Sequence, residues 1–95
     1  MIRNFRCEET EKISMGLPSL KLPSNIQRKA LDKLIQIKSA GKITDLRIPP
    51  GNRLEQLKGK KRAGQFSIRI NDQWRICFKW KKREAIDVEI VDYHD

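Results

Sequence analysis

The 95 residues allow one small domain and leave no room for two. Lys and Arg number 21 against 12 acidic residues, a net charge of +9 that suits a polyanionic partner such as nucleic acid, an anionic membrane surface or an acidic protein. No apolar run is long enough for a membrane span, the opening residues Met1–Phe5 have no signal-peptide core, and Cys7 and Cys77 lack any CxxC or Cys/His spacing, so a cytoplasmic protein with two reduced structural cysteines and no zinc site is expected.

Residues 2–6 read as a short first strand. Glu8–Ser14 reads as a short helix, ended by Gly16 and Pro18. A longer helix begins at Ser24, an N-cap candidate with Gln27 in the capping-box position and Pro23 before it. Ile26, Ala30, Leu34 and Ile37 follow at helical spacing, Leu31 and Ile35 widen the stripe, and Gly41 is the expected stop. This stripe should lie on a sheet as core.

Residues 44–59 read as a linking region in which Pro49-Pro50-Gly51 excludes regular structure, with Leu54 and Leu57 in a short strand or an ordered loop. The strongest β pattern comes next. Phe66, Ile68 and Ile70 alternate with Ser67, Arg69 and Asn71. After a turn, Trp74, Ile76, Phe78 and Trp80 alternate with Arg75, Cys77 and Lys79. After another turn, Ile86, Val88 and Ile90 alternate with Asp87, Glu89 and Val91. The pattern predicts an α+β fold, an antiparallel meander with one face on the helices and the other carrying Arg69, Arg75 and Lys79. Trp74 and Trp80 fall on the core face.

Charge is uneven along the chain. Residues 53–83 hold 11 basic and 2 acidic side chains, so this block alone accounts for +9, whereas residues 84–95 hold five acids and no base. An RNA-facing surface belongs in the middle block, although charge runs such as Lys60-Lys61-Arg62 and Lys81-Lys82-Arg83 are equally read as a solvated rim.

The single histidine, His94, stands in Asp92-Tyr93-His94-Asp95. Terminal histidines are commonly inert. Here the last strand should carry Tyr93 and His94 to the edge of the sheet that bears Arg75. A histidine beside a tyrosine and cations suits cleavage of RNA by its own 2′-hydroxyl. That reaction needs a proton taken from the 2′-oxygen, a proton given to the 5′-oxygen, and stabilisation of charge on the phosphate. It requires no cofactor or metal. Lys58 and Arg75 are the phosphate candidates, with Arg53 ranked third. Otherwise Lys58 is a surface lysine and Arg75 a cross-strand partner for Glu89 or Asp87. Tyr93 could stack on a base or lend its hydroxyl, and Asp92 could orient His94 or cap the strand end.

Pro49-Pro50-Gly51-Asn52-Arg53-Leu54-Glu55, Leu57, Gly59, Asn71-Asp72-Gln73-Trp74-Arg75-Ile76-Cys77-Phe78 and Val88-Glu89-Ile90-Val91-Asp92-Tyr93-His94 resemble HigB toxins of the RelE superfamily. The similarity runs from about residue 2 and is densest from Pro49 to His94. The resemblance implies a single RelE-like domain, two N-terminal helices on a small, mostly antiparallel sheet. It implies a toxin that cleaves mRNA in the decoding site of the ribosome and is neutralised by HigA, a helix-turn-helix antitoxin. Carried onto this chain, the family's catalytic Asp-Tyr-His falls on Asp92, Tyr93 and His94, its arginine on Arg75 and its lysine on Lys58. Arg53, Glu55, Lys60, Lys61, Arg62, Arg69 and Lys79 form the expected RNA- and ribosome-binding set. The chain departs from some relatives in carrying Glu55 where they have a histidine; among so many cations a glutamate is a weaker base, so either it or His94 must take that role, and slower cleavage would be a consequence. Two other readings remain open on the residues: a relative of ParE, which inhibits DNA gyrase on the same fold, and a non-catalytic basic module that binds rRNA or DNA.

Overall fold

In the computed structural model, which describes residues 1–93, the two expected helices are present: α1 spans Glu8–Ser14 and α2 spans Ser24–Ser39. His94 and Asp95 lie outside the described residues. α2 buries Ile26, Ala30, Leu34 and Ile37, the stripe that its helical spacing requires, while Ile35 stays half exposed at 51%. Its start differs from the expected capping box. Ser24 is already helical, Pro23 is the cap residue, and no side chain caps the first turn. Gln27 instead folds back on the preceding loop, donating to the carbonyls of Ser19 and Leu22 and accepting from the Ser19 amide. The helix ends at Ser39, just before the expected stop, and the Asp45 carboxylate accepts from the amides of Gly41 and Lys42.

The proline-rich link is more ordered than its composition suggests. Ile43–Arg47 and Pro50–Asn52 form short 3-10 turns, with a proline opening the second, where a missing N–H costs nothing. Asn52 is fully buried beneath it. Its amide donates to Gln36 Oε1 and the Leu46 carbonyl, and its oxygen accepts from the Lys33 ammonium. Burial lowers the pKa of Lys33. This polar knot fastens the link to α2.

The four strands are β1 (Glu55–Gln56), β2 (Gln65–Arg69), β3 (Trp74–Lys81) and β4 (Glu84–Asp92), in spatial order β1-β2-β3-β4 with every neighbour antiparallel. The expected first strand is reduced to two parallel bridges, Ile2 to Ala85 and Phe5 to Val88, along the free edge of β4. A bulge explains why this pairing is broken. β4 and β3 lose register between Cys77 and Lys79, and Asp87 takes a left-handed φ of 53°. The bulge also changes which residues face the core. Ala85, Val88 and Ile90 are buried, whereas Ile86 pairs with Lys79 on the opposite face, so the simple alternation of Ile86, Val88 and Ile90 does not hold.

The core sits between the helices and one face of the sheet. Phe78 is its largest buried side chain, stacked near Phe66 and edge-on to Trp80, with Trp74 and Trp80 packed half-buried against it. Thr10 of α1 is fully buried, and its hydroxyl accepts from the Ile90 amide, which pins the short helix to β4. Among the described residues no helix is long and apolar enough to cross a membrane.

Candidate active site on the outer sheet face

Residues directly opposite one another in a sheet project to the same side. On the face away from the helices, register therefore lines up Glu55, Ser67, Cys77 and Glu89 across all four strands. The next row holds Arg69, Arg75 and Val91. Arg69 and Arg75 are like charges placed opposite each other, an unfavourable pair unless each finds an anion. Each does. Arg69 turns outward to Asp72, and Arg75 turns along the sheet to Glu55.

Arg75 is the best-held cation of this face. Its Nη1 donates to Ser67 Oγ at 2.9 Å and lies 3.2 Å from Glu55 Oε1. Its guanidinium carbon is 5.2 Å from the centre of the Tyr93 ring, a cation–π distance. Tyr93 continues the ladder beyond β4, its amide donating to the Gln73 carbonyl at 2.7 Å. Asp92 accepts a hydrogen bond from Gln73 Nε2. The carboxylate partner of Arg75 is thus Glu55, not Glu89 or Asp87: Glu89 is taken by Arg62 at 2.6 Å, and Asp87 lies 3.8 Å from Lys79.

The expected site residues thus divide. Arg75, Glu55 and Tyr93 are brought together. Arg69, Lys79 and Arg62 are each engaged with an acid elsewhere. Lys58, Lys60 and Lys61 are exposed in the hairpin between β1 and β2 and make no side-chain hydrogen bond or ion pair among the described residues, and Arg53 is exposed in a left-handed conformation. His94 lies outside the described residues. The alternation puts Ser67 on the outer face but gives it no part in the site. It is fully buried and faces Glu55 across the ladder, but only the register, which no local pattern reveals, places it under Arg75.

Cys77 lies fully buried in the same row, and burial pushes its thiol up to about 11. It is a packing residue, not a nucleophile. Among the described residues no three His, Cys, Asp or Glu side chains gather to hold a metal ion, and no buried side-chain nitrogen or oxygen lacks a hydrogen-bond partner.

Residues 16–94 match the family described as HigB-like toxin, the RelE-like toxin of the type II toxin–antitoxin system HigB. The chain belongs to this family. It is a HigB toxin of a type II toxin–antitoxin system, a membership that implies an antitoxin partner. Toxin HigB-1 of Vibrio cholerae is 46% identical over 66 residues, covering 70% of this chain and 68% of the relative. An uncharacterized protein of Haemophilus influenzae is 41% identical over 65 residues, covering 68% of this chain and 63% of the relative. In this HigB-like toxin the family match takes in α2, the whole sheet and the Arg75–Tyr93 contact, and leaves α1 outside. The helices and the antiparallel sheet agree with a RelE-like fold.

Proposed function

We propose that this toxin is a ribosome-dependent endoribonuclease that cuts mRNA in the decoding site through attack by the RNA 2′-hydroxyl, and so stops translation. The observation that carries the reading is the setting of Arg75. Its guanidinium is held by Glu55, Ser67 and the Tyr93 ring on a sheet face bordered by a basic hairpin, in a chain of the HigB-like family.

Arg75 stabilises the negative charge that grows on the scissile phosphate, with Lys58 as the second cation. Glu55 and Ser67 fix the plane of the guanidinium before RNA arrives, which spares reorganisation at the moment of reaction. His94 moves the protons, Tyr93 stacks on a base or assists with its hydroxyl, and Asp92 orients the histidine. This acid–base chemistry is metal-independent. Lys60, Lys61 and Arg53 meet rRNA or mRNA phosphates. The ribosome supplies what so small a site lacks, an mRNA held in line for attack. The toxin works in the cytoplasm as a single RelE-like domain, with a HigA-type helix-turn-helix protein as its antitoxin.

The test is to map mRNA 5′ ends shortly after induction, beside a Tyr93→Ala/His94→Ala double variant. Codon-phased cuts inside translated regions, absent in the variant, are the expected result. Growth arrest without new cuts would overturn the nuclease reading and point to gyrase inhibition or to simple ribosome binding.

A further inference from the structure

Arg62 stands in the hairpin between β1 and β2, yet its ion-pair partner is on β4. Adjacent strands lie about 4.8 Å apart, so the side chain and its loop reach across β2 and β3 to arrive there. The contact is short, 2.6 Å from Nη1 to Glu89 Oε1, and joins residues 27 apart in sequence. The same Nη1 donates to Gln65 Oε1 at 3.2 Å. Beneath this bridge Cys77 is fully buried and Gln65 nearly so, although both belong to the face that carries no helices. The bridge crosses that part of the sheet, near enough for the Arg62 charge to act on the Cys77 thiol.

The hairpin is built to fold in this way. Gly59 and Gly64 bracket it with φ of 99° and 83°, a backbone that side-chain-bearing residues rarely adopt, and a Cβ at either position would meet nothing. Its base is closed by the Leu57 amide on the Gln65 carbonyl, with Leu57 buried. Between Leu57 and Gln65 lie three exposed lysines and one arginine, and among the described residues only the arginine has an ion-pair partner.

We infer that the Arg62–Glu89 ion pair is a clasp that folds the cationic hairpin of residues 57–64 over the sheet and sets where Lys58 stands relative to Arg75. Arg62 and Glu89 are positioning residues in this assignment, which rests on the proposed nuclease reading for its catalytic consequence but not for the clasp itself. The pair is charge-assisted and partly shielded, the class of contact that fixes geometry. Arg62 commits its charge to Glu89, leaving Lys58, Lys60 and Lys61 to meet phosphate.

The clasp makes a prediction opposite in sign to bulk electrostatics. Glu89→Gln makes the toxin one unit more positive, which by charge alone tightens binding to RNA. With the clasp open, KM for programmed ribosomes holds or falls, while kcat drops by about tenfold to a hundredfold, the cost of a misplaced group near the phosphate. The swapped pair Arg62→Glu/Glu89→Arg keeps net charge and restores much of kcat. Limited trypsin digestion reads the hairpin without reference to activity: Glu89→Gln should be nicked faster after Lys60 and Lys61, and the swap should return nicking towards the parent rate. If the parent does not cut mRNA yet Glu89→Gln speeds nicking, the nuclease reading falls and the clasp stands. Unchanged nicking with unchanged kcat in Glu89→Gln overturns the clasp.

Discussion

The guanidinium of Arg75 lies against the ring of Tyr93, 5.2 Å from carbon to ring centre, and this contact joins the middle of the sheet to the end of β4. The two residues are brought together because the carbonyl of Gln73, just before β3, accepts the Tyr93 amide and extends the ladder one step past Asp92. Arg75 needs a planar group here. The guanidinium carbon lies over the ring while Nη1 serves Ser67 and Glu55.

Arg75→Lys should therefore not be conservative. A lysine keeps the charge but loses the planar fork and the stacking. Cleavage on programmed ribosomes is expected to fall by at least about tenfold, equivalent to ~1.4 kcal/mol of transition-state stabilisation, with thermal stability near that of the parent. A parent-like rate would remove Arg75 from the phosphate.

Glu55→His places a group that titrates near neutral pH where an acid is now ion-paired with Arg75. A positioned base contributes on the order of a hundredfold or more, so single-turnover cleavage should speed up, by about tenfold even in imperfect geometry. An equal or lower rate would show that losing the carboxylate that holds Arg75 offsets the added base.

Lys60 and Lys61 are exposed without partners among the described residues, so they are cations free to displace counterions. Replacing both by Ser should weaken ribosome binding and reduce the slope of log K against log salt by about one unit for each phosphate no longer neutralised. Filter binding across a salt series measures this. An unaltered slope would make them a solvated rim.

Cys77 provides a pH signature. Its thiol is raised to about 11 by burial, against an ordinary value of 9.0. The folded state keeps its proton where the unfolded chain has lost it, so the contribution to stability is complete below about pH 9 and is lost as pH rises through 11. Between about pH 8 and about pH 10.5 the parent should lose about 2 kcal/mol more than Cys77→Ala in urea unfolding. Parallel curves for the two proteins would contradict this account of the thiol. Reagents for free thiols should accordingly react with the half-buried Cys7 well before Cys77.

Much of the architecture was legible in residue spacing. The stripe of Ile26, Ala30, Leu34 and Ile37 and the alternation from Phe66 to Trp80 are local periodicities, and burial of apolar surface converts them directly into a helix and a pair of strands. The alternation likewise puts Arg69, Arg75 and Lys79 on one face of the sheet. What escaped was register and partner choice. The bulge at Asp87, which turns Ala85 inward and Ile86 outward, arises where β4 must serve both β3 and the N-terminal segment. The choice of Glu55 for Arg75 and of Glu89 for Arg62 depends on which carboxylate the ladder sets within reach, and neither is the nearest along the chain. Hydrophobic periodicity acts between near neighbours and survives in the sequence, whereas ion pairing and strand register are settled between residues far apart in the chain, only after the sheet has closed.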